Sequence, residues 1–408
     1  MSDFFQNGIV TTLQDFGHRS SAELEAEVAI YAQGQPVTLL LPCLASELEH
    51  PALAVIVTAL SHVSYVSRII IGLDRADDGA FRKAIGYFAR LPQPHDIVWN
   101  DGARIAALLA DLGRQGLAPV ERGKGHNLWL GLGLIQAEGL GGIVAIHDCD
   151  IINYTPRLLA RLVYPLVHPD SNYVFAKAYY TRVSEGRLYG RVSRLFVTPL
   201  LRALKHALPH GRYLDYLDSF RYPLAGECAM HVDVARRLTL TTNWGLELGV
   251  LSEIFRNYST RQICQVDVAD TYDHKHQPVG IEVPGSGLNR MARDIALRIM
   301  EGLAAQGQVL QLGHIRTIVT AYERIVLDLI DSYVDVAAIN GLKIDRRDEV
   351  QAASTFAGSL YAAGQHFVSE DYHRAAAPTW DEVVRRQPDT LARLRSAVAL
   401  DRAQFTGP

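Results

Sequence analysis

An alternation of apolar runs and helical segments over residues 36–148 restricts the fold of this chain more than any other feature. Short, continuous apolar runs are typical of strands buried on both faces, and they occur at 36–43, 67–74, 95–101 and 142–148. Segments with helical character lie between them, at 51–63, 79–91, 102–116 and 123–139. This order predicts an α/β fold with a parallel sheet and right-handed crossovers. Ligands bind such sheets beyond the carboxyl ends of the strands.

The pattern differs on both sides of this segment. Residues 20–33 favour a helix that Ser20 or Ser21 caps. After residue 155, strand-like runs at 172–183 and 261–273 mix with helical segments, and the chain then becomes almost entirely helical. We therefore predict an N-terminal helical segment 1–35, an α/β domain 36–285 with a first half 36–155 and a second half 156–285, and a helical C-terminal region 286–408.

Composition narrows the classes of partner. The formal net charge of −4 gives no general reason to expect a nucleic acid or an anionic membrane. The N-terminus lacks the basic start and apolar core of a signal peptide, and the chain has no run of about 18 apolar residues. The four cysteines are far apart and form no zinc-site spacing, which indicates reduced thiols in a cytoplasmic protein. They are Cys43, Cys149, Cys228 and Cys264.

Aspartates stand at the ends of the predicted strands. Asp74 and Asp101 end two of them, and the sequence Asp148-Cys149-Asp150 closes the last one. A hard divalent ion such as Mg²⁺ takes oxygen ligands, typically one or two carboxylates together with substrate phosphates. The motif alone leaves two interpretations open: a metal site at the ligand edge of the sheet, or an aspartate-rich turn that caps a helix.

Seven short segments, in this order and at this spacing, resemble the retaining GT-A glycosyltransferases that make glucosyl-3-phosphoglycerate. They are LPCLASE (41–47), GKGHNLW (123–129), DCDIINYTP (148–156), YGRVSRLFVTPLL (189–201), YPLAGE (222–227), WGLELGVLSEIF (244–255) and DHKHQP (273–278). Mannosyl-3-phosphoglycerate synthases of the same type fit the segments about as well. The resemblance covers residues 36–290. It implies a GT-A, Rossmann-like sheet whose first half holds a nucleotide-sugar donor and whose second half holds a phosphorylated three-carbon acceptor.

The resemblance also implies which residues contact the donor: Pro42, Leu44, Ser46, Glu47, Lys124, Asp148 and Cys149. Glycines on both sides of Lys124 let its backbone and ammonium group approach a ligand closely. The alternative for Lys124 is a solvated side chain at a helix start, and for 41–47 a strand end followed by a capped helix. Ser46 stands where the family has an acid, and GLDRADDG (72–79) departs from the family's second strand end. The nucleobase, uridine or guanosine, is therefore left open.

A metal and three catalytic groups follow from the same resemblance. Asp150 and His274 are implied to hold Mg²⁺ or Mn²⁺, with a surface histidine as the alternative for His274. Glu247 is implied to orient the acceptor hydroxyl, and the backbone carbonyl of Leu224 to lie against the anomeric face of the sugar. Asp150, Glu247 and Leu224 are the predicted catalytic residues. No carboxylate is clearly placed as a nucleophile, which favours front-side attack assisted by the leaving phosphate and an α-linked product.

Five residues are implied to bind the acceptor: Gly190, Arg191, Ser193, Glu247 and His276. A guanidinium offers paired donors that match a phosphate or carboxylate, and a hydroxyl at a helix start adds another. The alternative is that Arg191 and Arg194 are ordinary exposed charges on a helix. His276 stands where the family often has asparagine, and Tyr272 where arginine is usual. The acceptor, 3-phosphoglycerate or glycerate, is therefore left open.

The sequence thus predicts a metal-dependent retaining transferase that moves glucose or mannose from a UDP- or GDP-sugar to a small anionic acceptor. One alternative is a sugar-phosphate nucleotidyltransferase, which normally carries a G-x-G-x-R loop that LPCLASELEH (41–50) lacks. Another is a non-catalytic nucleotide-sugar-binding protein, which would not need the full set of acids and histidine. Because relatives often are dimers, we expect a homodimer. The region 286–408 either forms the contact between the two subunits of this dimer or is a layer packed on the catalytic domain.

Overall fold

The computed structural model describes residues 6, 8–209, 211–269, 272–273, 287–369 and 376–406. Within them the strands, β1 to β10, are Thr11–Leu13, Val37–Leu44, Val66–Asp74, His95–Trp99, Ile143–Ile146, Phe175–Tyr180, Val183–Ser184, Arg187–Leu188, Cys228–His231 and Ile263–Ala269. The α-helices, α1 to α15, are Ser21–Tyr31, Pro51–Leu60, Asp78–Phe88, Ala103–Gly113, Lys124–Ala137, Pro156–Val167, Thr198–Ala207, Arg212–Asp218, Val232–Arg236, Leu246–Asn257, Gly287–Ala305, Leu312–Ile339, Arg346–Phe367, Trp380–Arg386 and Thr390–Phe405. A π-helical segment, Val192–Val197, leads directly into α7.

Eight of these strands form one sheet in the order β1-β10-β6-β9-β5-β2-β3-β4, and β7 and β8 form a small hairpin beside it. Neighbouring strands run parallel except at β9, which is antiparallel to both β5 and β6. The predicted α/β fold with a mostly parallel sheet is confirmed. The antiparallel β9 joins the four strands of the first half to those of the second half.

Two strands of the sheet were not predicted from the sequence. β1 has 3 residues and β9 has 4, which is too short for a period of two to be recognised. β1 lies in the segment 1–35, for which we predicted helix only, and it pairs with β10 through Thr11 opposite Cys264. The N-terminal segment therefore supplies an edge strand of the main sheet as well as helix α1.

The sheet separates two apolar cores, because consecutive residues of a strand point to opposite faces. Leu40 of β2 belongs to the core beneath α4, α5 and α7, whereas Leu39 and Leu41 belong to the core beneath α1, α2, α3 and α6. All three side chains are fully buried. Burial on both faces explains why β2 has the continuous apolar sequence that predicted it.

The C-terminal helices pack on the α5 and α7 side of the sheet at two places. Helix α12 contacts α7 and the π-helical segment, α13 contacts the π-helical segment, and α15 contacts α4, α5 and β4. Trp129 of α5 and Trp380 of α14 stack with their ring centroids 4.2 Å apart. The Trp129 indole donates to the Pro378 carbonyl and the Trp380 indole to the Trp129 carbonyl, both at 2.8 Å. The region 286–408 is thus packed against elements of both halves of the α/β domain.

Two further sequence expectations concern membranes and thiols. In the part of the chain that the structure describes, no helix is both long enough and apolar enough to span a membrane. The four cysteines are all free, as predicted, and all four are buried.

Candidate active site

Lys124, Asp148 and Glu247 meet at the carboxyl edge of the sheet. Lys124 is the first residue of α5, Asp148 follows β5, and Glu247 lies in the first turn of α10. The Lys124 ammonium lies 2.6 Å from Asp148 Oδ1 and 3.4 Å from Glu247 Oε1. All three side chains are partly exposed, so a ligand can reach them. The structure therefore brings together three of the residues that the resemblance assigned to donor and acceptor.

The charge of Lys124 is fixed by its neighbours. Burial alone would lower the pKa of the ammonium group, but the carboxylates of Asp148, Glu247 and Glu227 outweigh it and raise the pKa above its usual value. The side chain is consequently protonated at any physiological pH. It can donate hydrogen bonds and offset negative charge, but it cannot act as a general base.

The surroundings of Asp150 favour its neutral form, whereas those of Lys124 favour its charged form. Burial and the nearby carboxylates of Asp148 and Glu227 raise the pKa of Asp150 to about 7, against the smaller opposing effect of Lys124. Burial also raises the pKa of Asp148. The site thus holds more carboxylate charge than one ammonium group offsets, and a divalent cation at Asp150 would relieve this excess. Carboxylate oxygen is a ligand that Mg²⁺ and Mn²⁺ accept, so the residues fit such an ion.

The protein ligands for such an ion are few. Among the residues that the structure describes, no group of three or more His, Cys, Asp or Glu side chains is arranged to hold a metal. A site in which one or two protein ligands share the ion with substrate phosphates does not need such a group. The predicted ligand His274 and the predicted acceptor residue His276 lie outside the described residues.

Glu227 is buried beside this cluster, and both of its carboxylate oxygens are occupied. Tyr180 donates to Oε2 at 2.7 Å and Tyr272 donates to Oε1 at 2.6 Å. The two phenol rings stack with their centroids 3.6 Å apart. Tyr272, where the family usually has arginine, is therefore part of the support for Glu227.

The loop before β9 passes over the Lys124–Asp148 pair. Among the described residues, no group donates a hydrogen bond to the Leu224 carbonyl, so this oxygen is available to a ligand. The buried Lys177 ammonium donates to the next carbonyl, that of Ala225, and anchors the loop from below. A Cβ atom on Gly226 would overlap both Asp148 Oδ2 and Lys124 Nζ. A side chain at this position would displace the ion pair or the loop, because the backbone lies directly against the pair.

The predicted donor residues at the end of β2 differ in their access to a ligand. Leu44 and Ser46 are exposed and Pro42 is half-buried, whereas Glu47 is 6% exposed. The Cys149 side chain is buried next to Cys43, and this thiol contact and burial raise the pKa of Cys149. The Cys149 side chain is therefore not available to a donor.

The aspartates at the other two strand ends, Asp74 and Asp101, are paired with an arginine. Arg122 lies 2.8 Å from Asp74 Oδ1 and 2.7 Å from Asp101 Oδ1. Asp101 also accepts a hydrogen bond from the Ala76 amide at 3.0 Å. The acidic character expected for the whole ligand edge is thus concentrated at the end of β5. Sequence reasoning missed Arg122, although its place just before Lys124 was a signal.

Three of the predicted acceptor residues, Gly190, Arg191 and Ser193, lie in one turn at the start of the π-helical segment. Gly190 has a φ of +77°, which favours glycine, and its carbonyl accepts from the Arg194 amide at 2.9 Å. Arg191 and Ser193 follow it, and the Thr198 amide donates back to the Ser193 carbonyl, five residues earlier. Such π-helical turns are frequent at functional sites.

Pro199 explains part of this irregular geometry. It has no N–H, so it cannot donate to the Leu195 carbonyl four residues earlier. The Tyr322 hydroxyl, from helix α12, donates to that carbonyl at 2.6 Å instead. The C-terminal helical region therefore satisfies a backbone group that the proline leaves without its helical partner.

Two arginines beside this turn were predicted as either anion-binding or simply exposed. Arg191 Nε and Arg194 Nη1 each donate at 2.8 Å to Glu349, a buried carboxylate of α13 that sequence reasoning missed. Arg194 is 9% exposed and is therefore structural, whereas the Arg191 side chain is 26% exposed. The alternative that both are ordinary surface charges is wrong.

Comparison with known proteins identifies the family. No family model matches the chain. A glucosyl-3-phosphoglycerate synthase of Persephonella marina is 40% identical over 401 residues, which are 98% of this chain and 99% of the relative. That of Methanococcoides burtonii is 33% identical over 407 residues, 99% of each chain. The chain belongs to the glucosyl-3-phosphoglycerate synthase family.

Membership of this family makes the chain a glycosyltransferase, as predicted. Solved structures of the glucosyl-3-phosphoglycerate synthase of Mycobacterium tuberculosis match it with a TM-score of 0.52 at 23% identity, over 72% of this chain and 88% of theirs. One contains Mn²⁺, UDP and glucosyl-3-phosphoglycerate, and another contains Mn²⁺, UDP-glucose and phosphoglyceric acid. This likeness confirms the GT-A fold.

Proposed function

We propose that this chain transfers glucose from UDP-glucose to the free hydroxyl of 3-phosphoglycerate, with retention of anomeric configuration. The observation that carries the proposal is the Lys124–Asp148–Glu247 cluster at the carboxyl edge of the sheet. The family assignment supports glucose over mannose and transfer over nucleotidyl exchange or mere binding. The solved relative binds UDP-glucose and phosphoglyceric acid, which supports uridine and the phosphorylated acceptor.

The donor is held by the first half of the site in this proposal. Pro42, Leu44, Ser46 and Glu47 face the nucleoside, and the Lys124 ammonium donates to the diphosphate–sugar end. A fixed positive charge there stabilises the negative charge that grows as the nucleoside diphosphate leaves. Asp148 holds that ammonium in place at 2.6 Å.

A divalent cation completes the donor site. Asp150 would hold Mg²⁺ or Mn²⁺, together with His274 from outside the described residues, and the ion, when bound, would supply Lewis-acid stabilisation of the departing diphosphate. The raised pKa of Asp150, caused first by burial and then by Asp148, supports this assignment.

In this proposal the acceptor is held on the face of the sugar from which the nucleoside diphosphate leaves. Arg191, Ser193 and the Gly190 backbone bind its phosphate or carboxylate, and Glu247 orients the hydroxyl that attacks. The Leu224 carbonyl lies against the anomeric carbon and stabilises the positive charge that develops there. Positioning both substrates in one site converts a bimolecular reaction into a local one.

Retention by front-side attack is expected because the acceptor is proposed to lie on the leaving-group face of the sugar, and the described residues of the cluster offer no suitable nucleophile for the other retaining route, a double displacement. Asp148 and Glu247 contact Lys124, and both oxygens of Glu227 accept hydrogen bonds from tyrosines. A double displacement is therefore disfavoured, and the leaving phosphate takes the proton of the attacking hydroxyl. We expect an α-linked product from UDP-glucose and 3-phosphoglycerate with Mn²⁺, as measured by the anomeric proton coupling in NMR. A β-linked product would overturn retention, and the absence of transfer would overturn the proposed function.

Metal affinity is expected to fall as the pH falls through about 7. In the metal-free protein the Asp150 carboxyl, with its pKa raised to about 7 by burial and its neighbours, becomes protonated below that pH. Binding a metal must then release the proton, so the affinity for Mn²⁺ in the presence of UDP should drop about tenfold between about pH 8 and pH 6. Calorimetric titration measures this, and Asp150→Asn should lose both the affinity and its pH dependence. A pH-independent affinity in the wild type would contradict the assignment.

The homodimer and the cytoplasmic location that the sequence suggested stay predictions. Analytical ultracentrifugation of the purified chain tests the first, and fractionation of the source cells tests the second.

A further inference from the structure

A buried carboxylate of the C-terminal helical region lies at the edge of the proposed acceptor site. Glu349 is in the first turn of α13 and is 2% exposed. Its Oε1 accepts from Arg191 Nε and its Oε2 accepts from Arg194 Nη1, both at 2.8 Å. Two guanidinium groups thus compensate one buried negative charge, and the three residues carry a net positive charge.

Arg194 fixes this cluster from the inner side. Its Nε donates to the Tyr189 carbonyl at 2.9 Å, and its guanidinium lies 4.8 Å from the centre of the Tyr333 ring. With these contacts and its low exposure, Arg194 cannot turn outward to meet a substrate. It therefore holds Glu349, and Glu349 in turn holds Arg191.

Arg191 keeps its outer donors available. Among the described residues, only its Nε has a hydrogen-bond partner, and a guanidinium has four further N–H donors on its two terminal nitrogens. One of these four runs parallel to Nε–H, but the paired N–H groups on the edge between the two terminal nitrogens are directed elsewhere and can form paired hydrogen bonds with a phosphate or carboxylate. Fixing the plane of the guanidinium in advance reduces the conformational entropy that is lost when the anion binds.

We propose that Glu349 is a positioning residue of the acceptor site, which acts by orienting Arg191 toward the acceptor anion. The inference rests on the proposed function, because it requires Arg191 to bind the phosphate or carboxylate of the acceptor. It gives the C-terminal helical region a part in substrate binding in addition to packing. Tyr322 of α12 supports the same turn through the Leu195 carbonyl, so this region fixes the turn at two points.

Glu349→Gln in the full-length chain tests the proposal. The glutamine amide can accept from one arginine, but its NH₂ group faces a second donor, so one of the two hydrogen bonds is lost. We expect the KM for 3-phosphoglycerate and its calorimetric Kd to rise about 10- to 100-fold, as is typical when an orienting partner is removed. The kcat and the KM for UDP-glucose should stay within about twofold of wild type. Glu349 contacts Arg191 and Arg194, and neither of these is proposed to bind UDP-glucose.

Two comparisons separate positioning from a general structural role. Asp401→Asn removes another buried carboxylate of the C-terminal region, 1% exposed and 2.6 Å from Arg104, and should leave the acceptor KM unchanged. In the double variant Arg191→Ala/Glu349→Gln, the second change should add little to the effect of the first, because Glu349 acts through Arg191. Additive effects, or equal increases in both KM values, would overturn the positioning role.

The remaining outcomes are also decisive. If the wild type does not transfer glucose to 3-phosphoglycerate, the proposed function fails and this inference fails with it. If the wild type transfers glucose and Glu349→Gln binds the acceptor normally, only the inference fails. If circular dichroism shows that Glu349→Gln is unfolded, the proposal is tested with Glu349→Asp instead. This variant keeps the negative charge but has a shorter side chain. An acceptor KM equal to wild type in that variant would overturn the proposal.

Discussion

Replacement of Asp150 by asparagine is expected to lower kcat about 10³-fold, which corresponds to a loss of roughly 4 kcal/mol of transition-state stabilisation. Asparagine cannot supply the charged oxygen that we propose for the metal. The protein should remain as stable as the wild type, since burial and the nearby carboxylates already disfavour the ionised form of Asp150 and raise its pKa. Steady-state assays with Mn²⁺ and thermal unfolding measure the two expectations.

A control and a metal-removal experiment make the Asp150 prediction specific. Asp170→Asn changes an exposed aspartate in the turn after α6 and should leave kcat unchanged. Chelation with EDTA should reduce the wild type to the level of Asp150→Asn and should have no further effect on the variant. Near-normal turnover in the variant would mean that Asp150 does not hold the metal, and a lower melting temperature would point to a role in folding instead.

Gly226→Ala is expected to lower kcat about 10²-fold without unfolding the protein. The new methyl group would overlap Asp148 Oδ2 and Lys124 Nζ, so the ammonium group must move or the loop that carries the Leu224 carbonyl must lift. Either displacement misplaces a group that we propose to contact the sugar. The measurement is kcat and KM for UDP-glucose, together with circular dichroism to show that the fold is retained.

Gly141→Ala is the matched control for this substitution. Gly141 lies just before β5, and a Cβ atom there would meet no neighbouring atom within 4 Å. The control should therefore retain full activity. If Gly226→Ala also retained full activity, the Lys124–Asp148 pair could not require the close approach of this loop, and the proposed place of the Leu224 carbonyl would be wrong.

The sequence predicted the parts of the site that depend on local pattern. The apolar residues of β5 indicate a buried strand, and a strand that ends there puts Asp148 and Asp150 at the ligand edge of the sheet. Family resemblance added Lys124 and Glu247, which lie 3.4 Å apart in space although they are far apart in the chain.

Contacts between distant segments could not be predicted in this way. Glu349 follows Asp348 in a helix start, where acids normally interact with the helix dipole and with water, so its sequence gave no sign of burial. Its role depends on α13 packing against the π-helical segment, which no local pattern encodes. Arg122 likewise pairs with Asp74 and Asp101 only because the ends of β3 and β4 come together in the sheet.

The π-helical segment has a consequence for engineering substrate preference. Pro199 leaves the Leu195 carbonyl without its helical donor, and the Tyr322 hydroxyl of α12 donates to this carbonyl instead. Arg191 of the same turn donates to Glu349 of α13. A chimaera that imported residues 189–201 alone from a relative would separate this loop from both of its supports. Exchange of this peptide alone should therefore not transfer the preference for one acceptor over another. The matching segments of α12 and α13 should be exchanged together with it.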